Sequence, residues 1–214
     1  MGKSLRKTFR ASFSASDMNV LESLDSPVRI QQFLWELPYS ADDRYRSPRT
    51  VLLDRKAHCF DGALFAAAAL RRLGFPPLLV DMLPNDRDDD HILAVFKIAG
   101  YWGAVAKSNY AGLTYREPIH RSLRELVISY FEQFYNVAKE KTLRAYTVPV
   151  NLERFDPTNW MGDDSQLQRI ADGLDTARKV KVLTPSMIRR LAHVDERSYK
   201  AGLMESNPDG LFKV

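Results

Sequence analysis

The segment most informative about the fold is Ala57-His58-Cys59-Phe60-Asp61-Gly62-Ala63-Leu64-Phe65-Ala66-Ala67-Ala68-Ala69-Leu70-Arg71-Arg72-Leu73-Gly74-Phe75-Pro76. Its run of alanine, leucine and phenylalanine is apolar on nearly every side, which is typical of a helix buried over most of its surface. Gly74 can adopt the left-handed conformation that ends a helix, and the prolines beyond it prevent continuation. We therefore predict a buried central helix over Arg55–Leu73, with Cys59 near its start.

Cys59 is the only cysteine in the chain. Unpaired backbone N–H groups and the positive end of the helix dipole meet at a helix N-terminus, and both favour the thiolate over the thiol. A thiol with the usual pKa of about 8.5 is mostly protonated at neutral pH, so a nucleophilic cysteine also needs a base. His58 is a poor candidate, because adjacent residues of a helix point in different directions.

His91 is the better candidate for the base, because it can reach the thiol from another part of the fold. It follows an acidic segment, Pro84–Asp90, which we interpret as a solvated loop. Close to the site, these carboxylates would raise the pKa of His91 and favour cationic substrates. Residues 91–98 and 101–108 have the composition of two strands and predict a β-hairpin with His91 at its open end.

The register of this hairpin decides which side chain orients the imidazole. A two-residue turn at Ala99-Gly100 would place His91 opposite Ser108, whereas a three-residue loop would place it opposite Asn109. Ala-Gly is a weak sequence for a two-residue turn. A carboxamide is also an established partner of a Cys-His pair. We therefore expect Asn109 to orient His91, with Ser108 as the alternative.

The order of these features resembles the transglutaminase-like cysteine-protease superfamily, over roughly residues 27–110. The resemblance rests on several segments: Ser26–Leu34, Arg55–Gly62, Leu70–Pro76, Asp90–Phe96 and the strand that contains Trp102. It implies a transglutaminase-like or papain-like α+β fold, with Cys59 as nucleophile and His91 as base. The backbone N–H of Cys59 would help to bind the oxyanion.

Two positions depart from the pattern of that superfamily. Its members usually have a glycine shortly before the cysteine, where this chain has Ala57-His58. They also usually have an aspartate a few residues beyond the strand tryptophan. Counting from Trp102 reaches Ala106, and the nearest polar side chains are those of Ser108 and Asn109. An orienting group without a charge stabilises an imidazolium less well than a carboxylate does.

Three regions follow from the pattern along the chain. Residues 1–25 are rich in serine and are interpreted as a flexible N-terminal arm. Residues 26–150 form the predicted transglutaminase-like core, an α+β domain in which the central helix packs on a small antiparallel sheet. Residues 151–214 contain no recognisable motif and are expected to form a mostly helical C-terminal extension.

Composition narrows the possible functions. The 214 residues are 45% hydrophobic and 27% charged, as in an ordinary globular protein, and a lone cysteine cannot form an internal disulfide. The net charge of +4 is spread along the chain, which argues against a nucleic-acid-binding surface. No metal or cofactor motif is present, and no apolar run is long enough to span a bilayer. The positive charges of residues 3–10 are not followed by the apolar core of a secretory signal. A cytoplasmic location without a cofactor or membrane partner is therefore expected.

Two functional hypotheses follow. The first is a thiol hydrolase or acyl-transfer enzyme that acts on a peptide, a protein or another amide through an acyl-thioester at Cys59. The second is a transglutaminase-like binding or scaffold module that has kept the fold and lost turnover. The substrate, the choice between hydrolysis and transfer, and the oligomeric state stay open at this point.

Overall fold

The computed structural model describes residues 12–214, and the first part of the predicted arm, residues 1–11, lies outside them. The helices within the described residues are α1 (Ala15–Ser23), α2 (Pro27–Trp35), α3 (Pro48–Asp54), α4 (Cys59–Arg72), α5 (Leu123–Ile128), α6 (Gln168–Asp175), α7 (Pro185–Ile188) and α8 (Glu196–Gly202). Short 3-10 helices occur at Phe131–Gln133, Leu152–Thr158, Asp164–Gln166 and Pro208–Gly210.

The strands form one antiparallel sheet. They are β1 (Leu78–Leu83), β2 (His91–Ile98), β3 (Tyr101–Val105), β4 (Arg116–His120), β5 (Ala145–Thr147), β6 (Val150–Asn151) and β7 (Lys179–Lys181). Their order across the sheet is β4-β3-β2-β1-β5-β7, and β6 pairs with the first residues of β1. The protein therefore has the predicted α+β fold, with helices packed on an antiparallel sheet.

Helix α4 is the predicted central helix, and Cys59 is its first residue. Its side chains from Ala63 to Leu70 are fully buried. The predicted helix began four residues earlier, at Arg55, but Arg55 has a φ of 53° and ends α3 in the left-handed conformation. The chain therefore turns between two helices immediately before the cysteine.

The sheet separates two apolar clusters, and successive residues of β2 alternate between them. Ile92 and Ala94 pack in the cluster that contains α4. Leu93 and Val95 pack in the other, together with α5 and Tyr130. By this alternation His91, at the start of β2, belongs to the face opposite α4.

The hairpin between β2 and β3 has a two-residue turn. Ile98 pairs with Tyr101, and Ala99 and Gly100 have φ values of 50° and 88°. Positive φ at both central positions is the geometry of a type I′ turn, which matches the twist of the flanking strands. The expectation of a three-residue loop was wrong, because Ala99 adopts a conformation that alanine seldom takes. Continued beyond the last strand pair, this register leads from His91 to Ser108, not to Asn109.

The regions outside residues 26–150 take part in the same fold. Within the segment expected to be a flexible arm, α1 begins with a capping box between Ser14 and Asp17, and its Leu21 is fully buried. The segment expected as a mostly helical extension contributes β7 to the sheet. It also places Trp160 and Ile170 in the α4 cluster. These apolar side chains need the surface of α4 for burial, so the segments at both ends pack on the central helix.

Candidate active site

Helix α4 begins with a capping box that uses His58. The His58 Nδ1 accepts a hydrogen bond from the backbone N–H of Asp61 at 3.4 Å, and the Asp61 carboxylate accepts one from the backbone N–H of His58 at 3.3 Å. The imidazole therefore serves the helix N-terminus in the way that a Ser or Asp side chain usually does. It is directed to Asp61, which agrees with the argument that His58 is not the base.

Asp61 is also held by a buried arginine. The backbone N–H of Arg46 donates to Asp61 Oδ1 at 2.7 Å, and the guanidinium lies 3.5 Å from Oδ2. Both side chains are inaccessible to solvent. Arg46 also donates to Ser40 and Asp54 and contacts Asp42. This network fixes the N-terminal turn of α4, and no local sequence pattern indicates it because Arg46 and Asp61 are 15 residues apart.

Cys59 and His91 line the same cavity, which has a volume of about 50 Å³. Cys59 is partly exposed, whereas His91 is buried. The cavity lies at the end of the sheet, where the N-terminus of α4 meets the first residue of β2. Its other walls come from the acidic loop, the segment after β3 and the C-terminal segment: Asp88, Asp89, Asp90, Ser108, Asn109, Tyr110, Gly210 and Phe212.

The His91 ring is oriented by a backbone carbonyl. Its Nε2 lies 2.7 Å from the carbonyl oxygen of Leu113, so Nε2 carries the proton and Nδ1 is left as the acceptor. The pKa of His91 is lowered to about 4, mainly by burial; the hydrogen bond to Leu113 opposes this shift and the charge of Arg116 adds to it. The acidic loop does not raise this pKa, contrary to the sequence-based expectation. The imidazole is therefore neutral in this arrangement.

The Cys59 thiol does not hydrogen-bond to His91 within the part of the chain that the structure describes. Its polar neighbour is Tyr39, whose hydroxyl interacts with both the thiol and the backbone N–H of Cys59. Burial raises the pKa of the Cys59 thiol well above its ordinary value, and the nearby carboxylates of Asp90 and Asp89 raise it further. This shift is opposite in direction to the one expected at a helix N-terminus, and burial is its main cause.

Ser108 and Asn109, the expected orienting residues, have other partners. The Ser108 hydroxyl accepts a hydrogen bond from the backbone N–H of Tyr110 at 2.9 Å. The Asn109 side chain donates to the carbonyl of Asn207 and accepts from its N–H, both at 2.8 Å. Both residues line the cavity. Neither bonds to His91, whose Nε2 donates to the Leu113 carbonyl instead.

Two carboxyl groups near Cys59, those of Asp81 and Asp90, have raised pKa values. Asp81 of β1 is 1% exposed, and its Oδ1 has no hydrogen-bond partner among residues 12–214. Burial raises the pKa of Asp81 to about 8, and the charge of Asp90 adds to the effect. Burial likewise raises the pKa of Asp90, with a further contribution from Asp89. The charged residue within the otherwise apolar run Leu78–Leu83 was the only sequence signal for this feature.

No cation site accompanies these carboxyl groups. Among residues 12–214, no three side chains of His, Cys, Asp or Glu are arranged to hold a metal ion together. The same residues contain no helix with the length and apolar character needed to cross a bilayer.

The fold and this site define an α+β protein with a partly exposed cysteine at the N-terminus of its central helix. No protein-family model matches the chain, and no curated protein matches it. The solved structure of Legionella pneumophila LapG is similar with a TM-score of 0.40 and 14% identity, over 79% of this chain and 92% of that chain. EGTA-treated Legionella pneumophila LapG gives a TM-score of 0.39 and 13% identity, over 77% and 96%. Similarity at this level does not assign a family.

Proposed function

We propose that the chain is a thiol hydrolase or acyl-transfer enzyme that acts on peptide or other amide bonds. The observation that carries the proposal is the shared cavity: the thiol at the first residue of α4 and the imidazole at the first residue of β2 line one space. Cys59 would attack the amide carbonyl and form an acyl-thioester, and His91 would move the proton. The backbone N–H of Cys59 would bind the oxyanion.

The state of His91 suits a general base. Because Nε2–H donates to the Leu113 carbonyl, the lone pair on Nδ1 is free to accept the thiol proton. The carbonyl would hold the ring in this tautomer, the role first expected of Asn109 or Ser108. Burial is the main cause of both pKa shifts, so access of water to the cavity would raise the pKa of His91 and lower that of Cys59.

The attack requires a rearrangement at the cavity. His91 belongs by strand alternation to the face opposite α4, and the Tyr39 hydroxyl occupies the neighbourhood of the Cys59 N–H. The proposed enzyme therefore moves Tyr39 aside when substrate enters and brings the thiol within reach of the His91 Nδ1, while Nε2–H stays on the Leu113 carbonyl. Catalytic hydrogen bonds often form only in the substrate complex.

A second candidate is a binding or scaffold module without turnover. It is favoured by one specific observation, the absence of a hydrogen bond between Cys59 and the imidazole, together with the neutral state of both groups. In this case the cavity would bind a peptide or amide without cleaving it.

The two candidates differ in product formation. Purified protein is incubated with a mixed peptide library at pH 7, and new fragments or deamidated and transferred products are identified by mass spectrometry. We expect products from the native chain, none from Cys59→Ala, and a loss of at least about 1000-fold in His91→Ala.

His193→Ala is the matched control, because His193 is exposed and lines a different cavity. It should retain full product formation. If neither the native chain nor a variant with an opened cavity forms products, the enzyme proposal fails and the binding module is favoured.

A further inference from the structure

The segment Asn207–Phe212, here called the strap, lies across the candidate active site. Gly210 and Phe212 line the small cavity that contains Cys59 and His91. Asp209 to Phe212 also line a neighbouring cavity of about 290 Å³, which has Cys59 in its wall. Although the strap is about 150 residues from Cys59 in sequence, it forms part of the surroundings of the thiol on two sides.

The strap is held through its backbone. The Asn109 amide pairs with both the N–H and the carbonyl of Asn207, at 2.8 Å each. Asn207 Nδ2 in turn donates to the backbone carbonyl of Tyr39 at 3.1 Å. A side-chain amide that pairs with both backbone groups of one residue recognises an extended peptide in the way that a strand edge does. This contact would accept the backbone of another peptide equally well.

Gly210 lets the strap approach the cleft wall closely. A Cβ atom added there would lie 2.9 Å from two ring carbons of Tyr39 and 3.3 Å from Asn109 Nδ2. Since real Cβ contacts are essentially never this short, a larger residue would push the strap away from Tyr39. Tyr39 is the same residue whose hydroxyl touches Cys59, so the strap and the thiol are joined through one side chain.

The cavity volumes show that the cleft is filled. The space beside Cys59 and His91 is about 50 Å³, far below the several hundred Å³ typical of ligand sites. A cavity of about 510 Å³ lies on the other side of Tyr39 and Asn109, both of which also line the small one. With the strap displaced, the space beside Cys59 would open into the neighbouring cavity of about 290 Å³, which the strap also lines.

We propose that the strap is an autoinhibitory segment that occupies the peptide-binding groove of this site. A peptide substrate with one extended residue at the place of Asn207, whose φ is −83° and ψ 113°, would replace it and pair its own backbone with Asn109. This inference rests on the proposed function, because a peptide in the groove becomes a substrate only if Cys59 attacks it. Asn109 is then a substrate-positioning residue and has no part in orienting His91.

The test measures access to Cys59, which does not depend on turnover. Iodoacetamide labelling followed by mass spectrometry gives a single signal, because the chain has one cysteine. Two variants release the strap independently: a chain that ends at Ser206, and Gly210→Val in the full chain. We expect each to be labelled at least about tenfold faster than the native chain, since only the open state reacts. Lys213→Ala, which changes an exposed residue beyond the strap, should label at the native rate.

A second measurement adds the strap as a separate peptide. A synthetic peptide of residues 205–214 should slow the labelling of the chain that ends at Ser206, whereas a scrambled peptide of the same composition should not. Circular dichroism confirms that each variant is folded. Equal labelling of the native chain and the folded Gly210→Val variant would overturn the proposal. Faster labelling without peptide products from any variant would support the autoinhibitory role of the strap and contradict the proposed enzymatic activity.

Discussion

Two polar clusters flank the N-terminus of α4, and they differ in how completely their groups are bonded. In the first, the Arg46 cluster (Arg46, Asp61, His58), the Asp61 carboxylate has partners on both oxygens. In the second, the Cys59 cluster (Cys59, His91, Asp81, Asp90), Asp81 Oδ1 has no partner within the described part of the chain, and the imidazole bonds to the Leu113 carbonyl and not to the thiol. The clusters share one helix turn, so location alone does not explain the difference.

The contrast separates a structural role from a functional one. Buried polar groups in folded proteins are nearly always hydrogen-bonded, and incompletely bonded groups with displaced pKa values concentrate at functional sites. The Arg46 cluster follows the first pattern and the Cys59 cluster follows the second. Changes in the Arg46 cluster should therefore lower stability, whereas changes in the Cys59 cluster should alter pH dependence and reactivity.

Removal of the buried arginine should have the largest effect. Arg46→Met leaves the Asp61 carboxylate buried without its cation, and we expect a loss of about 4 kcal/mol in the free energy of unfolding. Urea denaturation measures it. Arg44→Met is the control, since Arg44 pairs with Asp54 at the surface, and it should cost less than about 1 kcal/mol. A similar small loss in both variants would contradict a structural role for the Arg46 cluster.

Asp81→Asn should instead increase the free energy of unfolding at pH 8. Because the pKa of Asp81 is raised to about 8 in the folded protein, the folded state binds this proton more tightly than the unfolded state. Its contribution to stability is greatest below pH 4 and is lost as the pH rises toward 8. The variant should therefore be more stable than the native chain at pH 8, by on the order of 3 kcal/mol, with the advantage shrinking toward pH 4.

Thermal or urea unfolding at several pH values between 4 and 8 measures this difference. His91 titrates with the opposite sign, but it is present in both proteins and cancels in the comparison. Asp86→Asn, an exposed change of the same kind in the acidic loop, should show no such trend. A constant offset between Asp81→Asn and the native chain would mean that the carboxyl is not displaced.

Gly62→Ala should disturb the contact between α4 and the segment that carries Ser108 and Asn109. The new Cβ would lie 2.2 Å from the Cβ of Lys107, so one of the two backbones must shift. We expect a loss of about 2 kcal/mol, as for other overpacked sites. In a Lys107→Gly background the clash is gone, and the same substitution should cost little. Equal costs in the two backgrounds would rule out this contact as the cause.

The smallest effect is expected at the helix cap. His58→Ala removes the acceptor of the Asp61 N–H and should cost about 1 kcal/mol, a typical value for an N-cap. His58→Asn keeps an acceptor in the same place and should recover most of the loss. Urea denaturation of the two variants measures this difference. Equal free energies of unfolding for His58→Ala and His58→Asn would contradict the role of the imidazole as the N-cap.

Local rules were sufficient for part of the structure. The central helix, its end near Gly74 and the hairpin follow from periodicity and turn chemistry, and Gly74 has the expected positive φ of 96°. Cys59 and His91, which were expected to lie close together, line one cavity. Each of these predictions depends on neighbouring residues or on the simple geometry of one helix and one strand.

The remaining features depend on contacts between distant parts of the chain. Asn109 pairs with a residue 98 positions away, and no local pattern indicates such a partner. The state of the thiol depends on how deeply the fold buries it, and the dipole argument alone predicts the wrong direction. The hairpin register depends on a positive φ at Ala99, a conformation that alanine seldom adopts.

The covalent link between the strap and the cleft has a consequence for ligand discovery. A tethered segment competes for its site at a local concentration on the order of millimolar, whatever the concentration of the protein. A peptide or inhibitor added at micromolar levels to the full chain must overcome this competitor before it binds beside Cys59. Screens on the full chain would thus underestimate affinities, and the chain that ends at Ser206 is the appropriate target for finding what this site recognises.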